Sequence, residues 1–175
     1  MPPVSLAPNE MVDFIPQGGN AGLHSCFLTL LTVAWQRIPV PDRQTILQFY
    51  RNRDHWYPRL ILGPRTCHVS PVAMGGGRYD GFMAWFDSLA IPEILARPCG
   101  EDWAVAMIGE ELAHALLLAS GDLTHLSDPP NNDENSPDYQ AWNNAREVAA
   151  TAVLYGWGFD QQSHADFIAW LQTMA

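Results

Sequence analysis

Residues 103–121 read WAVAMIGEELAHALLLASG and form the clearest helical stretch in the chain. We predict that this motif helix spans Gly100–Ser120, because acidic residues occupy its first turn and a glycine directly follows its end. A helix that is apolar nearly all round is expected to be buried, where a carboxylate without a partner is costly. Beyond the first turn, its only ionisable residues are Glu110, Glu111 and His114. These three side chains therefore need a cation or hydrogen-bond partners.

Apolar residues at helical spacing occur on both sides of the motif helix, and the segment before it has short strand-like runs. Helices are predicted at Gly22–Arg37, 41–53, Tyr139–Tyr155 and Gln161–Met174. Strands are predicted at Arg59–Leu62, Thr66–Ser70 and Tyr79–Leu89. Helices followed by strands and again by helices indicate an α+β fold. We expect a small mixed sheet whose edge strand lies beside the buried motif helix, flanked by N- and C-terminal helices.

The length and composition fit one globular domain. The chain has 175 residues, of which 47% are hydrophobic and 16% charged, and its mean hydropathy is −0.10. We divide this single domain, 1–175, into an extended arm (1–21), a helical N-terminal part (22–57), a small sheet (58–99) and a C-terminal part (100–175). The C-terminal part holds the motif helix, an acidic loop and the last helices.

Charge is distributed unevenly along the chain. Residues 1–100 contain eight arginines and seven acidic residues, whereas residues 101–175 contain one arginine, Arg146, and twelve acidic residues. The C-terminal part should therefore repel nucleic acid and acidic membrane surfaces and attract cations. We expect a basic peptide or protein segment as partner, and neither nucleic acid nor a membrane. Nothing in the sequence indicates an oligomeric state.

Cysteine content and the N-terminal residues indicate a cytoplasmic protein. Three cysteines do not form a disulfide framework. The first residues, MPPVSLAPNE, lack the basic and apolar regions of a secretory signal, and no apolar run is long enough to span a bilayer.

The spacing of the ionisable residues in the motif helix is typical of a metal site. Glu110 and His114 are four residues apart, so they project from one face of the helix and can bind one ion together. Glu111 points about 100° round the helix from Glu110, so it can lie beside such an ion without binding it.

The segment Glu110-Glu111-Leu112-Ala113-His114 resembles the zincin metallopeptidase motif HExxH, with glutamate in place of the first histidine. The resemblance covers roughly residues 78–158 and is closest to the gluzincin branch, whose third ligand is a glutamate on a later helix. By this resemblance Glu110, His114 and Glu147 are metal ligands. Glu111 is the general base that activates a metal-bound water, and the cofactor is one divalent ion, zinc in this family.

The glutamate at position 110 changes the charge of such a site. Two carboxylates and one imidazole neutralise a divalent ion, so the ion lowers the pKa of its bound water less than in the two-histidine site. The harder oxygen ligands also favour iron or manganese as alternatives to zinc. We therefore expect a divergent metallopeptidase-like protein that is weak or inactive as a peptidase.

Two other interpretations remain open. In the first, the polar residues of the motif helix satisfy one another without metal, for example through a His114–Glu147 hydrogen bond. The chain is then a non-catalytic pseudoenzyme that binds a protein or peptide. In the second, Cys26 near the start of an apolar helix is the nucleophile of a cysteine-dependent hydrolase, with Gln17 near the oxyanion.

Overall fold

The computed structural model describes the backbone of residues 14–16, 27–51, 58–63, 68–74, 78–87, 96 and 100–174. Side chains are described for residues 29–48, 96, 100–170 and 172–173. The candidate nucleophile Cys26, its companion Gln17 and most of the predicted arm lie outside the described residues.

Six helices occur in the described part of the chain. They are α1 (Phe27–Arg37), α2 (Val40–Arg51), α3 (Gly100–Ala119), α4 (Leu123–Leu126), α5 (Pro137–Gly156) and α6 (Gln161–Met174). The predicted motif helix is confirmed as α3, one residue shorter than expected, and the predicted terminal helix is confirmed as α6. The single turn α4 was not predicted. Among these helices, none combines the length and apolar character that crossing a bilayer requires.

Four strands are assigned along segments described by their backbone alone. They are β1 (Phe14–Pro16), β2 (Pro58–Gly63), β3 (His68–Met74) and β4 (Arg78–Asp87), in the order β1-β2-β4-β3. The β1–β2 and β2–β4 pairs are parallel, and the β3–β4 pair is antiparallel.

The predicted α+β fold, with a small mixed sheet beside the motif helix, is wrong for the body that the structure describes with side chains. In that body 79% of the residues are helical and none lies in a strand, so it is all-α. The physical reason is that α3 is apolar on every side and needs cover all round. Helices α1, α2, α5 and α6 supply most of this cover.

The core of this body is built around α3. Fourteen of its twenty residues are buried, including Glu110, Glu111 and His114. Gly109 lies where the end of α5 and the residues after it come very close to α3. A Cβ at this position would lie 2.6 Å from the Phe159 ring and 2.8 Å from a Leu154 methyl group. Glycine therefore lets the C-terminal end of α5 pack directly on α3, in the turn that precedes the site.

Two polar contacts fix the position of α5. Ser136 caps its N-terminus by accepting a hydrogen bond from the Tyr139 amide, and Pro137 occupies the first turn. Just past its other end, the Trp157 indole N–H donates to the Asp42 carboxylate on α2 over 2.7 Å. Held at both ends, α5 presents its middle section to α3.

Candidate metal centre

Three ionisable side chains from two helices converge in the described part of the chain. Glu110 and His114 lie on one face of α3, and Glu147 approaches from α5. One potential ligand atom from each residue lies within 4.8 Å of the other two. Glu110 and His114 are buried, whereas nearly half of the Glu147 side chain, 48%, is exposed. The group therefore sits at the edge of the core, with one side open to solvent.

Glu110 also contacts residues of the two later helices. Thr151 on α5 donates a long hydrogen bond of 3.5 Å to Oε1. The Nε2 atom of His164 on α6 lies 3.1 Å from Oε2. The two atoms are at ion-pair distance, but no hydrogen bond joins them, since His164 Nε2 has no hydrogen-bond partner among the described residues. Glu110 therefore links the three-residue group to α6.

His114 has a partner at each ring nitrogen. Its Nε2 lies 3.4 Å from Glu147 Oε2, and its Nδ1 lies 2.9 Å from Nε2 of His125 in a buried hydrogen bond. His125 in turn approaches Asp122, whose Oδ1 lies 3.0 Å from His125 Nδ1 and also accepts a hydrogen bond from the His125 backbone amide. Asp122, His125 and His114 thus form a continuous series of hydrogen bonds that ends at the three-residue group.

A turn encoded in the sequence places His125 beside His114. Gly121 adopts φ +78°, and its amide bonds to the Leu118 carbonyl while the Asp122 amide bonds to the Leu117 carbonyl. This αL ending reverses the chain after α3. Asp122 then caps α4, and this single turn brings the imidazole of His125 back against α3.

The donors and acceptors in this hydrogen-bonded series indicate which ring nitrogens of His125 and His114 carry protons. The Asp122 carboxylate accepts, so His125 Nδ1 carries a hydrogen. The His125 side chain is fully buried, which disfavours a charged ring, so its Nε2 is bare and accepts. His114 Nδ1 must then donate to it. In a neutral His114 ring, Nε2 therefore presents a lone pair to the Glu147 carboxylate.

The pKa values of Asp122 and His125 agree with the roles assigned to them. The bond from His125 holds the pKa of Asp122 below its usual range, so its carboxylate is charged. Burial lowers the pKa of His125, against the opposing effect of Asp122. Burial raises the pKa of Glu147, but the His114 ring and the Arg146 guanidinium outweigh this and leave the pKa lowered. Glu147 is therefore anionic, and part of this shift comes from a hydrogen bond that His114 donates when its Nε2 carries a proton.

Glu111, the predicted general base, is buried next to the group but does not belong to it. Its Oε2 has no hydrogen-bond partner among the described residues. Burial, with the charges of Glu110 and Glu147, raises the pKa of Glu111 well above its ordinary value, although Arg146 opposes the shift. A carboxyl group in this environment is protonated unless a cation compensates it.

The sequence-predicted ligands are thus brought together, while several residues that contact them were missed. The sequence analysis did not assign Asp122, His125, Thr151 or His164 to the site. A possible signal was the Asp122–His125 spacing of three directly after a helix-ending glycine, which places both residues on one helical turn. His164 carries no local signal, because its approach to Glu110 depends on the packing of α6 against α3.

The donor set suits a divalent ion, and one of its ligand–ligand distances matches a tetrahedral site. Two ligands of one tetrahedral zinc ion, each about 2.1 Å from it, lie roughly 3.4 Å apart. The distance between His114 Nε2 and Glu147 Oε2 is 3.4 Å. A metal-binding histidine usually donates its other N–H to a second acceptor, as His114 does to His125.

Searches against protein-family models, curated proteins and solved structures found no match to this chain.

Proposed function

We propose that the chain binds one divalent metal ion through Glu110, His114 and Glu147. The observation that carries this proposal is the 3.4 Å contact between His114 Nε2 and the Glu147 carboxylate, in a ring whose Nδ1 is already bonded to His125; in a neutral ring that Nε2 carries a lone pair. Two electron-rich atoms at 3.4 Å repel each other unless a positive charge lies between them. A metal ion supplies this charge, and so does a proton on His114, which is the metal-free interpretation.

Zinc is the first choice of ion, with iron or manganese as alternatives. Imidazole suits all three ions, while carboxylates shift the preference from zinc toward the harder ones. Two carboxylates with a neutral imidazole balance the charge of a divalent ion. This balance also accounts for the burial of Glu110, which has no arginine among its contacts in the described helices.

The proposal includes slow hydrolysis as the chemistry of the site. A divalent ion polarises a carbonyl group and activates water, and Glu111 is the candidate base beside it. Glu111 can accept a proton only when ionised, and its burial opposes ionisation. The charge-neutral ligand set also gives weaker activation of water than a two-histidine set. We therefore propose a divergent, metallopeptidase-like protein with weak activity, and the likeness concerns the ligands on α3 and α5 rather than the fold.

Metal analysis of protein purified without a metal-affinity tag tests the proposal. We expect about one equivalent of zinc, iron or manganese in the wild type. His114→Gln and Glu147→Gln should each lose it, whereas Glu134→Gln, which removes an exposed charge from the acidic loop, should retain it. Metal far below one equivalent, together with a thermal stability that a strong chelator leaves unchanged, would contradict the proposal.

A gain-of-function variant tests the hydrolytic part. Glu110→His creates the two-histidine, one-glutamate ligand set, which leaves a positive charge on the ion. We expect tighter zinc binding and faster cleavage of a basic peptide; adding Glu111→Gln should abolish the cleavage and leave the zinc affinity in place. A variant that gains no affinity would show that the three residues do not bind one ion together.

A non-catalytic binding role is the second candidate. Its specific support is a set of exposed apolar side chains on α4 and α5, namely Leu123, Leu126 and Val148. They lie in the acidic part of the chain, so the fitting partner is a basic amphipathic segment of a protein. Binding of such a peptide that persists after chelation and in His114→Gln would favour this role. A cytoplasmic location is part of either proposal and is supported by the low cysteine content.

A further inference from the structure

We propose that His164 is a fourth protein ligand, which closes the metal site against water in its resting state. This inference rests on the proposed metal site and names how that site is regulated. His164 is buried, lies in the first turn of α6 and contacts the group through Glu110. The sequence resemblance assigns it no role.

The local structure points the His164 ring toward the site. Asp160 accepts a hydrogen bond of 2.7 Å from the Ser163 amide, and its carbonyl accepts one from the His164 amide. These bonds start α6 and orient its first turn toward α3 and α5. The Tyr155 hydroxyl on α5 then contacts His164 Nδ1 at 3.0 Å and fixes one edge of the ring. The opposite edge, with Nε2, faces Glu110.

The Nε2 atom of His164 is buried without a hydrogen-bond partner among the described residues. It is inaccessible to solvent and lies 3.1 Å from Glu110 Oε2. A buried nitrogen without a partner is costly, and a missing ion or water molecule beside it removes that cost. Its separation from Glu110 Oε2 is close to the roughly 3.4 Å between two ligands of one tetrahedral ion.

His164 lies next to the three-residue group without being part of it. Ligation therefore requires its ring to move closer to the other members of the group while staying near Glu110, a shift that the Tyr155 hydroxyl must follow or release. With His164 bound, two carboxylates and two imidazoles fill a tetrahedral zinc site. Zinc sites with four protein ligands are structural, whereas catalytic sites keep one position for water. Release of His164 is then the step that opens the site for hydrolysis.

X-ray absorption spectroscopy of the zinc-loaded full chain tests this, because outer-shell scattering counts the imidazoles bound to zinc. We expect two imidazoles in the wild type, one in His164→Gln and two in Tyr155→Phe, which keeps the ring of residue 155 but removes its hydroxyl. Helix content from circular dichroism checks the fold of each variant. For a variant that does not fold, the ¹⁵N chemical shift of His164 Nε2 in the wild type provides the test, since zinc should move it and chelation should reverse the change.

The outcomes separate the two proposals. One equivalent of zinc with a single imidazole, unchanged in His164→Gln, overturns the fourth ligand and leaves the three-residue site intact. Two imidazoles that persist in His164→Gln also overturn it, because another histidine then supplies the second. Failure of the wild type to bind zinc, iron or manganese overturns both proposals.

Discussion

Replacing Asp122 with asparagine removes the negative charge at the far end of the Asp122–His125–His114 series of hydrogen bonds. Asparagine caps a helix about as well as aspartate, and its oxygen can still accept a hydrogen bond from the His125 amide, so α4 should remain in place. A hydrogen bond to a charged group contributes about 1.5–3 kcal/mol, and one between neutral groups about 0.5–1.5 kcal/mol. Because 33% of the Asp122 side chain is exposed, solvent screens part of the difference. We therefore expect the hydrogen bond between the His125 ring and residue 122 to weaken by about 1 kcal/mol.

This loss should appear as weaker metal binding. A less firmly held His125 fixes the donating Nδ1 of His114 less well, so Nε2 is less often available as a bare ligand. A change of about 1 kcal/mol corresponds to roughly a fivefold rise in the dissociation constant for zinc. Competition between chelator-treated protein and a zinc-binding dye measures this constant.

Asp128→Asn is the matched control, since it removes the same charge from an exposed residue six positions away. We expect its zinc affinity to stay within about twofold of the wild type. If Asp122→Asn and Asp128→Asn weaken zinc binding equally, Asp122 acts only through its long-range charge. The reasoning about the protonated nitrogens of His125 and His114 would then be refuted.

Three further predictions concern the free energy of unfolding, measured by urea denaturation of chelator-treated protein. Gly109→Ala should destabilise the fold by about 1–3 kcal/mol, because the new Cβ would lie 2.6–2.8 Å from side-chain atoms. Gly156→Ala, with nothing within 4 Å of its Cβ, should stay within about 0.5 kcal/mol of the wild type. Burial raises the pKa of Glu111 above its ordinary value of 4.5, so the contribution of this group to stability is full below that pH and falls as the pH rises. Glu111→Gln should therefore stabilise the protein by about 1–3 kcal/mol near pH 7, a gain that disappears in acid; an equal gain at both pH values would contradict this. Trp157→Phe should cost about 1–2 kcal/mol by removing the indole bond to Asp42, and Asp42→Asn should cost less, because its amide oxygen still accepts that bond.

The helices that carry the candidate site were predictable from the sequence. The signals for the ends of α3 are local, namely acidic residues in the first turn and a glycine after the last, so its bounds were correct to one residue. The i, i+4 spacing also predicted that Glu110 and His114 share a face. Their meeting with Glu147 came from a family resemblance, and the structure brings the three residues together.

The fold class and the outer contacts of the site could not be predicted in the same way. Strand-like composition before α3 indicated a sheet against the motif helix, but local patterns do not show which elements cover a helix that is apolar on every side. His125 and His164 approach the group through the turn at Gly121 and the packing of α6. Such contacts depend on tertiary structure and leave no fixed spacing in the sequence.

Anomalous X-ray diffraction from crystals of zinc-loaded protein tests the central claim most directly, because it locates the ion itself. Data collected on either side of the zinc absorption edge should give one strong peak within bonding distance of His114 Nε2, Glu110 and Glu147, and no peak in crystals of His114→Gln. Crystals of the wild type without a peak at this position, or with zinc bound only elsewhere, would contradict the account.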